Sequence, residues 1–139
     1  MTRAIAGNDD EKEMSRLFES AASYFSLLSE PTRLKILHAI CNEEKSVSEI
    51  VAMTGATQTN VSRHLSMMYK ARVLNRRREG SAVYYSIGDP TMIEICRSVC
   101  LHVAADLGRR LDTDTAVVIF PAGKVSASAG RSARRAPSA

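Results

Sequence analysis

One segment of the chain has side chains suited to contact with nucleic acid. Residues 57–68 read Thr-Gln-Thr-Asn-Val-Ser-Arg-His-Leu-Ser-Met-Met. Val61, Leu65 and Met68 recur at helical spacing, so we expect them to face a core. The other side chains carry amide, hydroxyl, guanidinium and imidazole groups, which hydrogen-bond to base edges and phosphates. The candidate DNA-binding residues of this predicted helix are Gln58, Thr59, Asn60, Ser62, Arg63 and His64.

The cysteines form a second candidate site, for a soft ion. Cys96 and Cys100 are four residues apart in a predicted helix, so they share a face with Cα atoms about 6 Å apart. Both Cβ vectors point along the helix, which is a poor setting for a disulfide. Two thiolates can instead bind one thiophilic centre, and trivalent arsenic or antimony suits such a pair. Cys41 is a candidate third ligand, from the same chain or from a partner chain.

Two other interpretations of the cysteines stay open at this point. The pair lies on an apolar stripe, and cysteine is often buried as a small hydrophobic residue, so the thiols are also candidates for purely structural packing. A thiol-redox or persulfide sensor is the other alternative. For Cys41 alone, core packing is favoured over metal binding.

Composition and charge narrow the class of protein. The chain has 139 residues, of which 45% are hydrophobic, and a net charge of +4, which favours a polyanionic partner. No apolar run approaches the roughly 20 residues of a membrane helix, and the first 13 residues do not resemble a signal peptide, so we expect a cytoplasmic protein with reduced cysteines. No nucleophile–His–acid pattern and no glycine-rich phosphate loop is present, so we expect no enzyme and no constitutive cofactor.

The elements that must position these groups begin with three helices. An amphipathic pattern starts at Met14, and Pro31 opens a second helix. Ser46 is the predicted N-cap of a third helix, with Glu49 at capping-box spacing, and Gly55 is its predicted end. Helix, glycine turn and polar helix together predict a helix-turn-helix.

A hairpin and a last helix complete the predicted order. Glu79-Gly80-Ser81 is the expected tip of a two-stranded hairpin, which carries Arg76, Arg77 and Arg78, and Asp89-Pro90 opens the final helix. The predicted fold is therefore mainly α with a two-stranded β-hairpin. The predicted domains are a flexible N-terminus (1–13), one helix-turn-helix domain (14–111) and a mostly disordered tail (112–139).

Three segments resemble the ArsR/SmtB family of bacterial repressors, in the family's order. They are Leu27-Leu-Ser-Glu-Pro-Thr-Arg-Leu-Lys-Ile-Leu, Val61-Ser-Arg-His-Leu, and Arg77-Arg-Glu-Gly-Ser-Ala-Val-Tyr-Tyr-Ser-Ile. The resemblance covers roughly residues 15–110. The cysteine pair makes the chain similar to the thiol-based branch that responds to arsenite or antimonite. His38 stands where related thiol-switch members have a cysteine, which weakens the persulfide alternative.

The resemblance implies a winged helix-turn-helix repressor that binds double-stranded operator DNA and is released by an inducer. It implies a homodimer through the first and last helices. The recognition helix would be residues 57–70, and the wing would be residues 74–87. Arg76, Arg77 and Arg78 alternate across the wing, so we expect one or two of these candidate DNA-binding residues to reach the DNA backbone or minor groove. The third helix lacks the Cys-x-Cys of the archetypal metal-thiolate site, and the last helix lacks the Asp and His pattern of the zinc site. Two alternative functions remain: a DNA-binding protein without an inducer, and a protein-binding module that has this fold and does not contact DNA.

Overall fold

The computed structural model describes residues 2–107 and Phe120. Its contacts divide the chain into two units, Met1–Pro31 and Thr32–Ala139. The predicted tail from residue 112 lies outside the described residues except for Phe120, which is buried, with its ring 6.0 Å from the ring of His38 in an edge-on contact. The proposed division into three domains stays a prediction.

The first unit contains one long helix, α1 (Thr2–Ser26). This helix begins twelve residues before Met14, where the amphipathic pattern starts. The intervening segment contains no proline and includes two Ala and two Glu, which favour a helix, so no residue in it forces the helix to end even though its apolar periodicity is weak. Four of its large apolar side chains are exposed, namely those of Met14, Leu17, Phe18 and Phe25.

The second unit builds the helix-turn-helix from α2 (Pro31–Ile40), α3 (Val47–Thr54) and α4 (Gln58–Lys70). Ser46 caps α3 in a capping box, accepting a hydrogen bond from Glu49 N (3.2 Å) while Glu49 Oε2 accepts one from Ser46 N (3.0 Å). Gly55 ends α3 in the left-handed region, with φ 72°. Both predicted signals are confirmed, and they fix the turn that sets α4 against α3.

The wing is a hairpin of β2 (Leu74–Glu79) and β3 (Ala82–Ile87), joined at Gly80 with φ 61°. A two-residue strand, β1 (Lys45–Ser46), pairs antiparallel with the other side of β3, so the sheet order is β1-β3-β2. The predicted sheet had two strands. Sequence patterning missed β1 because two residues are too few to show an alternation of polar and apolar side chains.

The last helix is α5 (Pro90–Asp106), with Asp89 as its N-cap and Pro90 at its start. Gly88 precedes this cap and lies against the beginning of β2, where an added Cβ would be 3.1 Å from the carbonyl carbon of Leu74. No helix within residues 2–107 has the length and hydropathy required to span a membrane.

The core of the second unit draws side chains from its helices and from the sheet. The buried apolar residues of the helices include Ile36, Leu37, Ile40, Ile50, Val61, Leu65, Met68, Met92, Ile93 and Cys96, and those of the sheet include Leu74, Tyr85 and Ile87. Val61, Leu65 and Met68 face this core as predicted, which leaves the opposite side of α4 available to a partner.

Candidate nucleic-acid interface and thiol pair

The outward side of α4 carries most of the predicted DNA-binding residues. Gln58, Thr59, Ser62 and Arg63 are exposed, and Asn60 is half-buried. Thr57 caps the helix, and its side chain accepts a hydrogen bond from Asn60 N (3.2 Å). The cap holds the first turn rigidly, which is the part of a recognition helix that meets base edges.

Two of these polar residues are already organised relative to each other. Arg63 Nη2 donates to Asn60 Oδ1 at 2.8 Å, across one turn of α4. The contact uses an acceptor of Asn60, which keeps its amide NH₂ as a donor, and Arg63 retains its other guanidinium donors. A charged donor and a side-chain amide are thereby presented together on one exposed face.

His64 does not lie on that face. The residue is only 6% exposed, so its side chain lies on the buried side of α4 and does not point into solvent. The helical repeat explains this placement, because position 64 falls three residues after Val61 and four before Met68, within the apolar stripe. Its assignment to the polar face was therefore wrong as to orientation, since a polar residue type was given more weight than its position.

The wing separates its three arginines by strand alternation. Arg76, Arg77 and Arg78 are all exposed. Arg76 lies with Cζ 4.1 Å from the centroid of the Tyr69 ring, which connects the wing to the end of α4 by a cation–π contact. Arg78 has the same parity as Arg76 and therefore projects from the same side of the sheet.

Arg77 projects from the other side and is surrounded by acidic and aromatic groups. Its Nη2 lies 2.5 Å from Glu44 Oε1, its Nη1 lies 2.6 Å from Glu79 Oε2, and its Cζ is 4.5 Å from the centroid of the Tyr84 ring. The hydrogen bonds that Arg77 donates to Glu44 and then to Glu79 raise the pKa of Arg77 further above its ordinary value. Sequence reasoning missed both acids. Glu44 is 33 residues away along the chain, whereas Glu79 is two residues away and could have been found from strand alternation, which places it on the same side as Arg77.

A shallow basic pocket of about 430 Å³ lies where α4 joins β2. Tyr69, Lys70, Arg72, Leu74 and Asn75 line it. Arg72 adopts φ 64°, an unusual conformation for a residue with a Cβ, and Val73 then enters the core. The pocket adds two positive charges beside the wing.

The cysteine pair of α5 combines a buried and a half-buried thiol. Cys96 is 2% exposed, whereas Cys100 is partly open to solvent. Burial raises the pKa of Cys96 to about 12, with a further contribution from the nearby Cys100, and burial also raises the pKa of Cys100. Both groups are therefore neutral thiols at pH 7, in contrast to the depressed pKa values of reactive cysteines.

Cys41 is a core residue that directly follows α2. It is buried, its Sγ donates to His38 O at 3.1 Å, and burial raises its pKa. In the part of the chain that the structure describes, no three His, Cys, Asp or Glu side chains come together as a group able to hold a metal ion. A contribution of Cys41 as a third ligand stays a prediction.

Comparison with known proteins places this architecture in a family. Residues 30–76 match the family model of bacterial regulatory proteins of the ArsR type. A probable mercury resistance operon repressor from Streptomyces lividans is 36% identical over 100 residues, which cover 71% of this chain and 78% of the relative.

Two solved structures give the same result for the fold. The AntR antimony-specific transcriptional repressor is 28% identical with a TM-score of 0.57, covering 63% of this chain and 80% of its own. A homodimeric winged helix-turn-helix DNA-binding domain from Mycobacterium bovis is 24% identical with a TM-score of 0.61, covering 71% and 93%. The relatives are transcriptional regulators and not enzymes, in agreement with the prediction for this chain. The exposed polar α4, the arginine-bearing wing and these matches together show that the chain belongs to the ArsR/SmtB family and is a winged helix-turn-helix transcriptional repressor.

Proposed function

We propose that this repressor binds operator DNA as a homodimer and releases it when As(III) or Sb(III) binds Cys96 and Cys100. The observation that carries the proposal is the pair of thiols four residues apart in α5, one buried and one half-buried, with Cys100 close enough to contribute to the raised pKa of Cys96. The antimony-specific relative supports a thiophilic inducer. No metal or cofactor is required for DNA binding in this proposal.

Operator binding is assigned to α4 and the wing. Gln58 and Asn60 have side-chain amides, which pair bidentately with adenine in the major groove. Thr59, Ser62 and Arg63 are suited to phosphates or further base edges. In a two-fold dimer, two copies of α4 enter successive major grooves about 34 Å apart.

A dimer through α1 and α5 is supported by the apolar side chains that both helices expose. The exposed fraction is 58% for Leu17 and 64% for Phe18 in α1, 53% for Val99 in α5 and 60% for Leu107, the C-cap of α5. An exposed apolar patch favours association with another protein surface. The Mycobacterium bovis domain of the same fold is a homodimer, so a second copy of this chain is the occupant that we assign.

Cys100 lies within the exposed stripe of α5, between Val99 and Val103, which connects inducer binding to the dimer interface. When a thiol of the pair bonds to the metalloid, its proton leaves with a hydroxide of arsenous or antimonous acid as water. Neutral thiols are therefore competent for this condensation. Cys96 must be reached from a buried position, so binding requires a local displacement in α5.

That displacement is the proposed link to DNA. An inducer changes operator affinity only by its differential affinity for the two states of the dimer, which is typically about 1–3 kcal/mol of coupling. A shift of α5 at the interface changes the separation of the two copies of α4. The raised pKa values disfavour the alternative persulfide or oxidation sensor, because the thiolate is the reactive form in both chemistries.

One titration tests the inducer and its site. Fluorescence anisotropy of a labelled operator fragment would follow its release by As(III), Sb(III), Cd(II), Zn(II) and persulfide, for the unmodified chain and for Cys96→Ser, Cys100→Ser and the matched control Cys41→Ser. We expect As(III) and Sb(III) to release the unmodified protein and the Cys41→Ser variant from the operator. We expect no release of the Cys96→Ser and Cys100→Ser variants. An unchanged response of Cys96→Ser and Cys100→Ser would refute the site. A lost response of Cys41→Ser would make Cys41 a ligand.

Mercury is a second candidate inducer, because the Streptomyces lividans relative is a probable mercury resistance operon repressor. Hg(II) is a soft ion that also prefers thiolates. It belongs in the same titration, at matched free concentrations. Release by Hg(II) at concentrations where As(III) and Sb(III) have no effect would replace the metalloid proposal while leaving the cysteine pair as the site.

A further inference from the structure

On the side of the sheet that carries Arg77, neighbouring side chains come from all three strands. Register pairs Tyr84 with Ser46 of β1 on one side and with Arg77 of β2 on the other. Glu44 precedes Ser46 by two residues and Glu79 follows Arg77 by two, so alternation places their side chains on this same side. Backbone geometry thus brings these acids and one arginine together.

The side-chain contacts show how closely Arg77 is held. Its Nε lies 3.2 Å from each carboxylate oxygen of Glu44, and its Nη2 adds a second donor to the same group. Its Nη1 donates to Glu79, and its Cζ lies over the ring of Tyr84. The fork of donors therefore joins the wing to the segment between α2 and β1.

Charge favours a structural use of this arginine over a phosphate contact. Arg77 with Glu44 and Glu79 carries a net charge of −1, so the group as a whole repels a phosphate. Arg76 and Arg78 project from the opposite side of the sheet, and Arg76 is turned toward α4 through Tyr69. A hairpin alone is marginally stable, and β1 provides only two residues of pairing. An additional ion pair between the wing and the segment before β1 would therefore stabilise the position of the wing.

We propose that Arg77 is a positioning residue, which holds the wing in the orientation required for operator binding through its bidentate ion pair with Glu44. Arg76 and Arg78 are then the wing residues that contact DNA. The inference deepens the proposed operator binding, on which it rests, and it replaces the expectation that Arg77 contacts the DNA backbone.

The deciding experiment measures operator affinity against salt concentration for Glu44→Gln, Arg77→Gln and the double variant. A positioning role predicts that Glu44→Gln weakens binding by about three- to tenfold with an unchanged salt slope, and that the double variant binds no worse than Arg77→Gln. A phosphate contact predicts the reverse. Glu44→Gln would then tighten binding by removing a negative charge, and Arg77→Gln would lower the slope by about one.

Arg77→Lys separates charge from geometry. Lysine keeps the positive charge that a phosphate needs and loses the planar fork that spans two carboxylates. We expect Arg77→Lys to bind as weakly as Arg77→Gln, and rescue by lysine would overturn the inference. Arg78→Gln is the matched control, expected to lower the salt slope by about one.

Amide hydrogen exchange without DNA provides an independent readout. The exchange of β2 and β3 amides should accelerate in Glu44→Gln and Arg77→Lys, whereas that of α4 amides should stay unchanged. Unchanged exchange in the wing would refute the positioning role whatever the DNA results. If the unmodified chain bound no DNA, the proposed function would fail, while the exchange measurement would still decide whether the ion pair holds the wing.

Discussion

Two adjacent residues of α4 show how burial assigns roles that residue type alone does not. Arg63 is exposed and bonded to Asn60, whereas His64 is buried beside Leu65. Both side chains are basic in character and both are frequent in DNA interfaces. Their different positions on the helical repeat predict different consequences when each is replaced by alanine.

We expect Arg63→Ala to weaken operator binding and to lower the salt slope by about one, because one cationic contact is lost. Its free energy of unfolding should change by less than about 0.5 kcal/mol, as is usual for surface positions. His64→Ala should instead lower the free energy of unfolding by about 1–3 kcal/mol and leave the slope unchanged. Urea denaturation and anisotropy titrations in increasing salt test both statements. A salt slope that falls in His64→Ala would show that His64 contacts phosphate.

We expect ionisation of the Cys96 thiol to change the free energy of unfolding at alkaline pH. Its pKa in the folded chain is about 12, above the ordinary value of 9.0. The folded state therefore retains the proton longer, so the stabilisation is complete below pH 9 and is lost as the pH rises from 9 toward 12. The free energy of unfolding should fall more steeply across this window in the unmodified chain than in Cys96→Ala. Parallel curves for the two proteins would show that the thiol is not desolvated.

At the scale of elements, the helices whose ends carry a capping residue could be predicted from the sequence. Ser46, Gly55, Thr57 and Asp89 each satisfy a backbone group at a helix end, so residue type and position identify them directly. The hairpin was predicted because its turn needs a residue such as Gly80. These features are set by interactions over a few residues, which a single sequence displays.

The features that could not be predicted depend on contacts between distant segments. β1 exists because Lys45 and Ser46 meet β3, and the ion pair of Arg77 exists because that pairing brings Glu44 beside the wing. Neither has a local signature. The polar face of α4 was predicted correctly except for His64. Its spacing from Val61 and Met68 places it on the buried stripe, so its position in the helical repeat could have predicted its burial.

The capping box of α3 is the first element that can be tested by substitution. Ser46→Ala removes the acceptor for Glu49 N and leaves that donor without its cap. We expect the free energy of unfolding to fall by about 1 kcal/mol, within the usual range of about 0.5–2 kcal/mol. Chemical denaturation measures it, with Ser48→Ala, an exposed position within α3, as the control. Equal losses in the two variants would show that the cap contributes nothing beyond helix propensity.

The junction of the wing with α5 is tested at Gly88. A Cβ there would lie 3.0 Å from Asn75 Oδ1 and 3.1 Å from the backbone of Leu74, which cannot yield as a side chain does. We expect Gly88→Ala to lower the free energy of unfolding by about 1–3 kcal/mol. Gly7→Ala is the control, because its Cβ meets nothing within 4 Å and alanine favours the helix. An unaffected Gly88→Ala protein would show that β2 can move away without cost.

At the scale of the whole molecule, the proposed DNA-binding and inducer-binding residues require two chains to function. One copy of α4 presents a single short reading surface, whereas operator recognition by this fold uses two such surfaces at a fixed separation. In the proposed dimer, the exposed apolar residues of α1 and α5 would form the interface that sets this separation, and Cys100 lies among those of α5. Inducer, interface and DNA contact are then connected through one helix.

The dimer can be disrupted without altering any residue assigned to DNA. A glutamate at Leu17 or Val103 would place a charge in the proposed interface, where it is desolvated without a partner, so we expect the mass measured by sedimentation equilibrium to fall from dimer to monomer. Operator affinity should fall with it, because one chain then keeps only half of the contacts. Met53→Glu alters an equally exposed apolar residue of α3 and should leave the dimer intact. Monomerisation by Met53→Glu, or a stable dimer in both Leu17→Glu and Val103→Glu, would mean that the two chains meet through a different surface, and that Cys96 and Cys100 could not control DNA binding through α5.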